Sequence, residues 1–287
     1  MVDGKQVEAS QNSNPDLFWA IRGGGGNFGV ATALEYQLHR VTDVLAGTLT
    51  YRPGRIPELL QAFVKFVATA PDEMNVLGMA LPSKQGTRFQ MPVCHCGDPR
   101  QGNELLSPLR ALKPQEDNVR VMPYLEAQAG GFLRAPVAHF QTDLFLPELT
   151  AAAIAKITAA TNDAPPSTRV FIVPLYGAIT RVGLSDTAFA LRQPGYELDI
   201  VGLWNAPAEK ANAVQWVKSL RDSLQPLSTS ADLTRCGVNG KSRRRAPVAS
   251  KIAFPIAAGV TVIAVSPAPV AGTSAGVTKI VSTVGIS

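Results

Sequence analysis

The chain is 287 residues long, enough for one large domain or two smaller ones with a substantial core. Its 46% hydrophobic and 17% charged residues are ordinary globular material, which excludes a disordered or strongly acidic protein. The net charge of +5 belongs to the tail: from Asp232 onward seven basic residues meet one acid, and the only aromatic there is Phe254, so a basic platform with stacking aromatics for nucleic acid is excluded.

In chain order, Asn14-Pro15-Asp16 is a turn or helix-start signal, because the residue before a proline is pushed out of the helical region. Leu17, Phe18, Trp19 and Ile21 form a short apolar element, and Gly23 to Gly26 follow as four consecutive glycines. A run without Cβ atoms reaches positive φ and lets a flat or anionic ligand approach its peptide N–H groups. Beyond it, Val30, Leu34, Tyr36 and Leu38 alternate with Glu35, Gln37 and His39, which predicts a half-buried strand.

That placement narrows the glycine motif. Gly24-x-Gly26-x-x-Gly29 matches a dinucleotide fingerprint, but the fingerprint must open a helix and here a strand is predicted. No Lys-Ser or Lys-Thr closes a phosphate loop, and no kinase motif follows. On the residues alone, a tight structural turn and a cofactor contact both stay open.

Helical spacing is predicted over 59–67, 105–112, 151–160 and 206–224, and strands over 89–94, 137–145, 170–176 and 196–203. This is an α+β pattern, a sheet of several strands with helices on one face. Cys94-His95-Cys96 reads as two small buried hydrophobes on one strand face with His95 on the other, so no metal site is expected. His139, Gln141, Tyr176 and Tyr196 lie on predicted strands, but no catalytic residue is assigned. Three cysteines imply no disulfide framework. No signal peptide opens the sequence, so the localisation expected by default is cytoplasmic. The apolar run from Ile252 to Val265 is broken by Pro255 and falls short of the about 20 residues a bilayer span needs, so membrane insertion is not expected.

The block from Asn14 to Val30, Asn-Pro-Asp-Leu-Phe-Trp-Ala-Ile-Arg-Gly-Gly-Gly-Gly-Asn-Phe-Gly-Val, resembles a conserved-order block of the FAD-linked oxidases of the berberine bridge enzyme family, with their vanillyl-alcohol-oxidase or PCMH-type flavin fold. Further stretches resemble that family in the same order: Gly97-Asp98-Pro99, Gly102 and Pro108-Leu109-Arg110, then Tyr124 with Gln128, Arg181-Val182, the run from Asp186 to Arg192, and Trp204. The resemblance implies that the first block closes an FAD-binding domain and lies along the cofactor, with Gly24, Gly25, Gly26, Asn27, Gly29 and Val30 as FAD contacts. It implies three regions: 1–43, the end of a PCMH-type FAD-binding domain; 44–230, an antiparallel-sheet substrate domain covered by helices on one face; and 231–287, an atypical tail open to disorder.

Departures from the family qualify this. Its flavin-attaching histidine follows an Arg-Gly-x-x-His loop, and His39, His95 and His139 sit in no such loop. Asp3-Gly4-Lys5 resembles a hairpin just before the glycine block, so the chain is expected to start late in the flavin domain. The family match stops near Ser228-Thr229, where composition also changes, which suggests a change of reading frame or gene model. The function implied is an FAD-dependent oxidoreductase that oxidises an alcohol, sugar-like or alkaloid-like small molecule and passes electrons to O₂. The alternative is a non-catalytic remnant whose substrate domain folds without retaining flavin. Oligomeric state is not legible.

Overall fold

A computed structural model of the chain describes residues 6–36, 41–129, 138–229, 233–238 and 241–244. A short helix, α1 (Pro15–Ile21), comes first. The strands that follow are β1 (Asp43–Tyr51), β2 (Met74–Val76), β3 (Gly78–Leu81), β4 (Arg88–His95), β5 (Glu116–Asp117), β6 (Arg120–Pro123), β7 (Ala138–Leu146), β8 (Thr168–Leu175), β9 (Gly195–Trp204), β10 (Leu233–Val238) and β11 (Lys241–Arg244). They form one sheet in the order β11-β10-β7-β9-β8-β3-β4-β1-β5, with β2 also beside β4 and β6 beside β1. Every pairing described is antiparallel, so each strand can present an apolar face to a core and a second face of different character.

The main core lies on one side of the sheet. Leu45, Leu49 and Tyr51 of β1, Phe89, Met91 and Val93 of β4, Leu144 and Leu146 of β7, and Leu198 and Ile200 of β9 all belong to it. Three helices close over this face: α2 (Ile56–Val67), α6 (Ala151–Asn162) and α7 (Lys210–Leu224), while α3 (Pro99–Leu105), α4 (Ser107–Arg110) and α5 (Tyr124–Ala129) are short connections. In α2 the buried residues Leu59, Leu60, Phe63 and Phe66 repeat at the spacing of one helix face. Phe63 meets Phe89 edge-on at 6.5 Å and Tyr196 at 6.3 Å, so one side chain joins the helix to two distant strands. Helices α6 and α7 are tied by the Trp216 indole, which donates to the Ala160 carbonyl at 2.8 Å. Gly202 lets α7 approach β9, since a Cβ there would lie 2.9 Å from the Ala213 carbonyl.

The predicted helices and strands of the middle region are present, with two differences. The helix predicted over 105–112 is divided between α3 and α4, with Pro108 in the first turn of the second. Helix α5 lies on the sheet's other face, where Ala127 packs with Val44, Ala46 and Cys94.

Two expectations are corrected. The strand predicted after the glycines is absent from residues 30–36, which are irregular and mostly exposed. A strand is held by its ladder, and no described strand lies beside this segment to supply one. His39 lies outside the described residues. Tyr196 packs in the helix-side core. Cys94 is buried, but Cys96 follows the end of β4 and is exposed, its Sγ 3.4 Å from the Glu73 carbonyl.

Beyond residue 230 the sheet continues: β10 pairs with β7 from Leu233 to Gly237, and β11 pairs with β10. Residues 245–287, including the Ile252–Val265 run, and residues 1–5 with the Asp3-Gly4-Lys5 hairpin lie outside the described residues. No helix among the described residues is long and apolar enough to cross a membrane.

Candidate functional site

The glycine block is an exposed turn that leaves the end of α1 and is docked by its neighbours. Pro15 opens the helix and Asp16 sits in its first turn, where acidic groups favour the amide end. At the other end, the Gly24 N–H donates to the Ala20 carbonyl at 2.8 Å. Gly23 has φ +128°, and a Cβ on it would lie 2.6 Å from Phe189 Cα, so only glycine fits this crossing. Trp19 Nε1 donates to the Ser185 carbonyl at 2.7 Å, Arg22 Nη2 donates to the Asp186 carbonyl at 2.9 Å, and the Ala188 N–H donates to the Trp19 carbonyl at 3.3 Å. Two stretches far apart in sequence, 19–23 and 185–189, are thereby one structural unit. Arg192 supports the second from behind: it donates to Thr187 Oγ1 at 2.6 Å and stacks over the Phe189 ring.

The residues expected to touch a cofactor lie outward from this dock. Gly25 has φ +77° and Gly29 φ +142°. Around Gly26 no heavy atom lies within 4 Å of a Cβ position, leaving open space over its peptide. Gly24 is closed by Phe28, whose Cε2 would lie 2.6 Å from a Cβ there. Asn27 and Gly29 are exposed and Val30 is 70% exposed, with Trp19, Phe28 and Leu34 adding further apolar surface. An open, Cβ-free backbone bordered by exposed apolar groups fits a flat aromatic ligand as one wall; the described residues supply no facing wall.

A second group of polar side chains lies on the sheet face away from α2, α6 and α7. Because Phe140, Leu144 and Leu146 face the helices, His139, Gln141, Asp143 and Phe145 face the other way. The register brings Asp143 opposite Asp199, Phe145 opposite Glu197 and Gln141 opposite Val201. The carboxylates of Asp143, Glu197 and Asp199 therefore converge, with ligand oxygens within 4.8 Å of one another, and all three are buried. Gln141 Nε2 donates to Asp143 Oδ1 at 2.8 Å. Such a trio can accept a proton, and its spacing could also hold a cation. The row runs on through Phe171 and Met79 to Gln90, which donates to Thr50 Oγ1 at 3.1 Å.

Of the strand residues singled out in the sequence, His139 and Gln141 lie on this face. Tyr196 does not, and the Tyr176 hydroxyl is held by the Met74 carbonyl at the end of β8. Asp143, Glu197 and Asp199 were not singled out, although parity carried the signal: each occupies the strand positions opposite to the apolar set. The cleft between α2 and α6, lined by Gln61, Ala155, Thr158 and Asn162, lies on the helix side of the sheet and holds no comparable cluster.

No protein-family model matches the chain. Its fold matches a variant of berberine bridge enzyme in complex with (S)-reticuline with a TM-score of 0.66 at 16% identity, over 76% of this chain and 48% of that one. Phl p 4.0202, a glucose dehydrogenase, matches with a TM-score of 0.63 at 18% identity, over 75% of this chain and 47% of that one. The class is set by these likenesses: an α+β fold shared with part of the berberine bridge enzyme-like flavoproteins. In sequence, the chain is 28% identical over 227 residues to the uncharacterized FAD-linked oxidoreductase YgaK of Bacillus subtilis, over 76% of this chain and 50% of that protein. The chain is thus a relative of the FAD-linked oxidoreductases with a berberine bridge enzyme-like fold, and it spans about half the length of the curated relatives it matches.

Proposed function

We propose that this chain serves an FAD-dependent oxidoreductase acting on a small-molecule alcohol or sugar-like or alkaloid-like carbon, with O₂ as electron acceptor. In this reading residues 1–43 close the flavin domain and residues 44–230 bind substrate. The observation that carries it is the docked glycine turn, which hydrogen-bonds to the 185–192 loop while Gly25, Gly26 and Gly29 stay exposed and Gly26 has open space over its peptide. Gly24, Gly25, Gly26, Asn27, Gly29 and Val30 would border the cofactor. FAD supplies the hydride-accepting chemistry when bound.

The chain's own residues do the rest. The buried apolar cluster on the same sheet face, Phe171, Val201 and Leu203, would keep water from the carboxylates beside it. The carboxylates of Asp143, Glu197 and Asp199 take the proton released from the substrate hydroxyl, with Gln141 fixing one of the oxygens of Asp143. Incubation of the purified chain with FAD, followed by gel filtration and a visible scan, tests the reading. Bands near ~370 and ~450 nm eluting with the protein are expected for retained flavin; a colourless protein peak contradicts it.

A further inference from the structure

The stretch from residue 186 to 192 has no role in the chemistry described so far. It belongs to the connection between β8 and β9, whose only regular element is a short 3₁₀ turn at Gly177–Arg181. No strand ladder holds this backbone, so side chains have to fix it. Arg192, just before β9, does so in two directions. Its Nη2 donates to Thr187 Oγ1 at 2.6 Å and its Nη1 donates to the Ile179 carbonyl at 3.2 Å. The guanidinium carbon also lies 4.6 Å from the centre of the Phe189 ring. Thr187 Oγ1 in turn accepts from the Phe189 N–H at 3.3 Å, and both residues are buried. Phe189 is the residue that Gly23 abuts: a Cβ on Gly23 would lie 2.4 Å from the Phe189 nitrogen. The contacts therefore run without a gap from Arg192 through Thr187 and Phe189 to the root of the glycine turn.

Beyond that root the turn has little to hold it. Gly25 and Gly29 adopt positive φ, and no described strand lies beside residues 30–36. Glycine backbone loses much entropy when it is ordered, so a turn seated beforehand loses less freedom when a ligand binds along it. We propose that Arg192 is a positioning residue for the flavin: by fixing Thr187 and Phe189 it holds the seat of Gly23, and so keeps residues 24–30 in the conformation that meets the cofactor. This rests on the reading of that turn as one wall of the flavin site, and adds what keeps the wall in shape. A planar guanidinium donates in two directions while its face lies on a ring, which a lysine ammonium cannot do.

The test compares the full chain with Arg192→Met, Arg192→Lys and Thr187→Val, by hydrogen exchange without FAD and by FAD titration followed through flavin fluorescence. In Arg192→Met, exchange over residues 23–30 and 185–189 should accelerate about tenfold while α2 and α6 stay at wild type. FAD should bind about tenfold more weakly, as the loss of one charge-assisted hydrogen bond implies. Thr187→Val removes the acceptor and should act alike. Joined to Arg192→Met it should add little, because both cut the same link. Arg192→Lys keeps the charge and one donor, and should recover part of both effects. Unchanged exchange over 23–30 in Arg192→Met overturns the proposal, as does unchanged FAD affinity in a chain that binds FAD. Exchange that rises throughout the sheet together with a lowered urea midpoint marks a merely structural role and overturns it too. If the wild-type chain takes up no FAD while exchange over 23–30 accelerates in Arg192→Met, the flavin reading alone fails.

Discussion

The indole Nε1 of Trp19 donates a 2.7 Å hydrogen bond to the carbonyl oxygen of Ser185, 166 positions away in the chain. This bond and the Arg22–Asp186 contact beside it fix the glycine turn to the sheet domain. Trp19→Phe keeps the ring and deletes the donor. It should cost about 1 kcal/mol or less, because the site is partly exposed. Its larger effect is local: amide exchange over residues 23–36 should accelerate while the sheet amides stay unchanged, which hydrogen-exchange mass spectrometry resolves by peptide.

Gly23 and Gly26 should behave oppositely although they are near neighbours. Gly23→Ala forces a side chain into positive φ and into the Phe189 backbone, and should cost about 1–3 kcal/mol in urea unfolding. Gly26→Ala meets open space and should change stability by less than about 0.5 kcal/mol. If Gly26 borders the flavin, its variant should weaken FAD retention without weakening the fold.

Phe63 bridges α2 to β4 and β9, and is fully buried. Phe63→Ala should lower stability by about 3–5 kcal/mol, the range for a truncated core aromatic. A denaturant midpoint close to wild type would mean that the helix layer does not depend on this contact.

Alkaline pH should destabilise the fold through Cys94. Burial raises its thiol from an ordinary value of 9.0 to about 12, so the folded protein holds the proton more tightly than the unfolded chain. That stabilisation is fully present below pH 9 and is lost progressively as pH rises toward 12. Buried Tyr51, which donates to the Leu109 carbonyl at 3.0 Å, is shifted upward by burial as well and adds to the same trend. Urea midpoints from pH 8 to 11 should fall less steeply in Cys94→Ala than in wild type.

Much of the sheet domain was legible because its strands and helices carry clean periods: Leu59, Leu60, Phe63 and Phe66 on one helix face, and Leu198 and Ile200 on one strand face. β1 escaped notice because Gly47 and Thr48 interrupt its apolar pattern. Gly47 is there for the close approach of Asn118, whose carbonyl would lie 2.6 Å from a Cβ. Several motif residues proved to be packing devices. Asp98 caps α3 by accepting from the Arg100 N–H at 2.8 Å, and Gly102 makes room for buried His95, whose Cδ2 would lie 2.6 Å from a Cβ there. The carboxylate trio was hidden for a different reason. Asp143 lies more than fifty residues from Glu197 and Asp199, and only the β7–β9 register unites them. The alternation misled over residues 30–36, because period-2 patterning records which face could be buried, not whether a neighbouring strand exists to bury it.

The central claim is that the turn around Gly26 lies along a flavin. Hydrogen exchange of the full chain with and without FAD tests it at the residues concerned. FAD should slow exchange in peptides covering residues 23–30 and leave those of α2 and α6 unchanged. Exchange over 23–30 that is identical with and without FAD would contradict it.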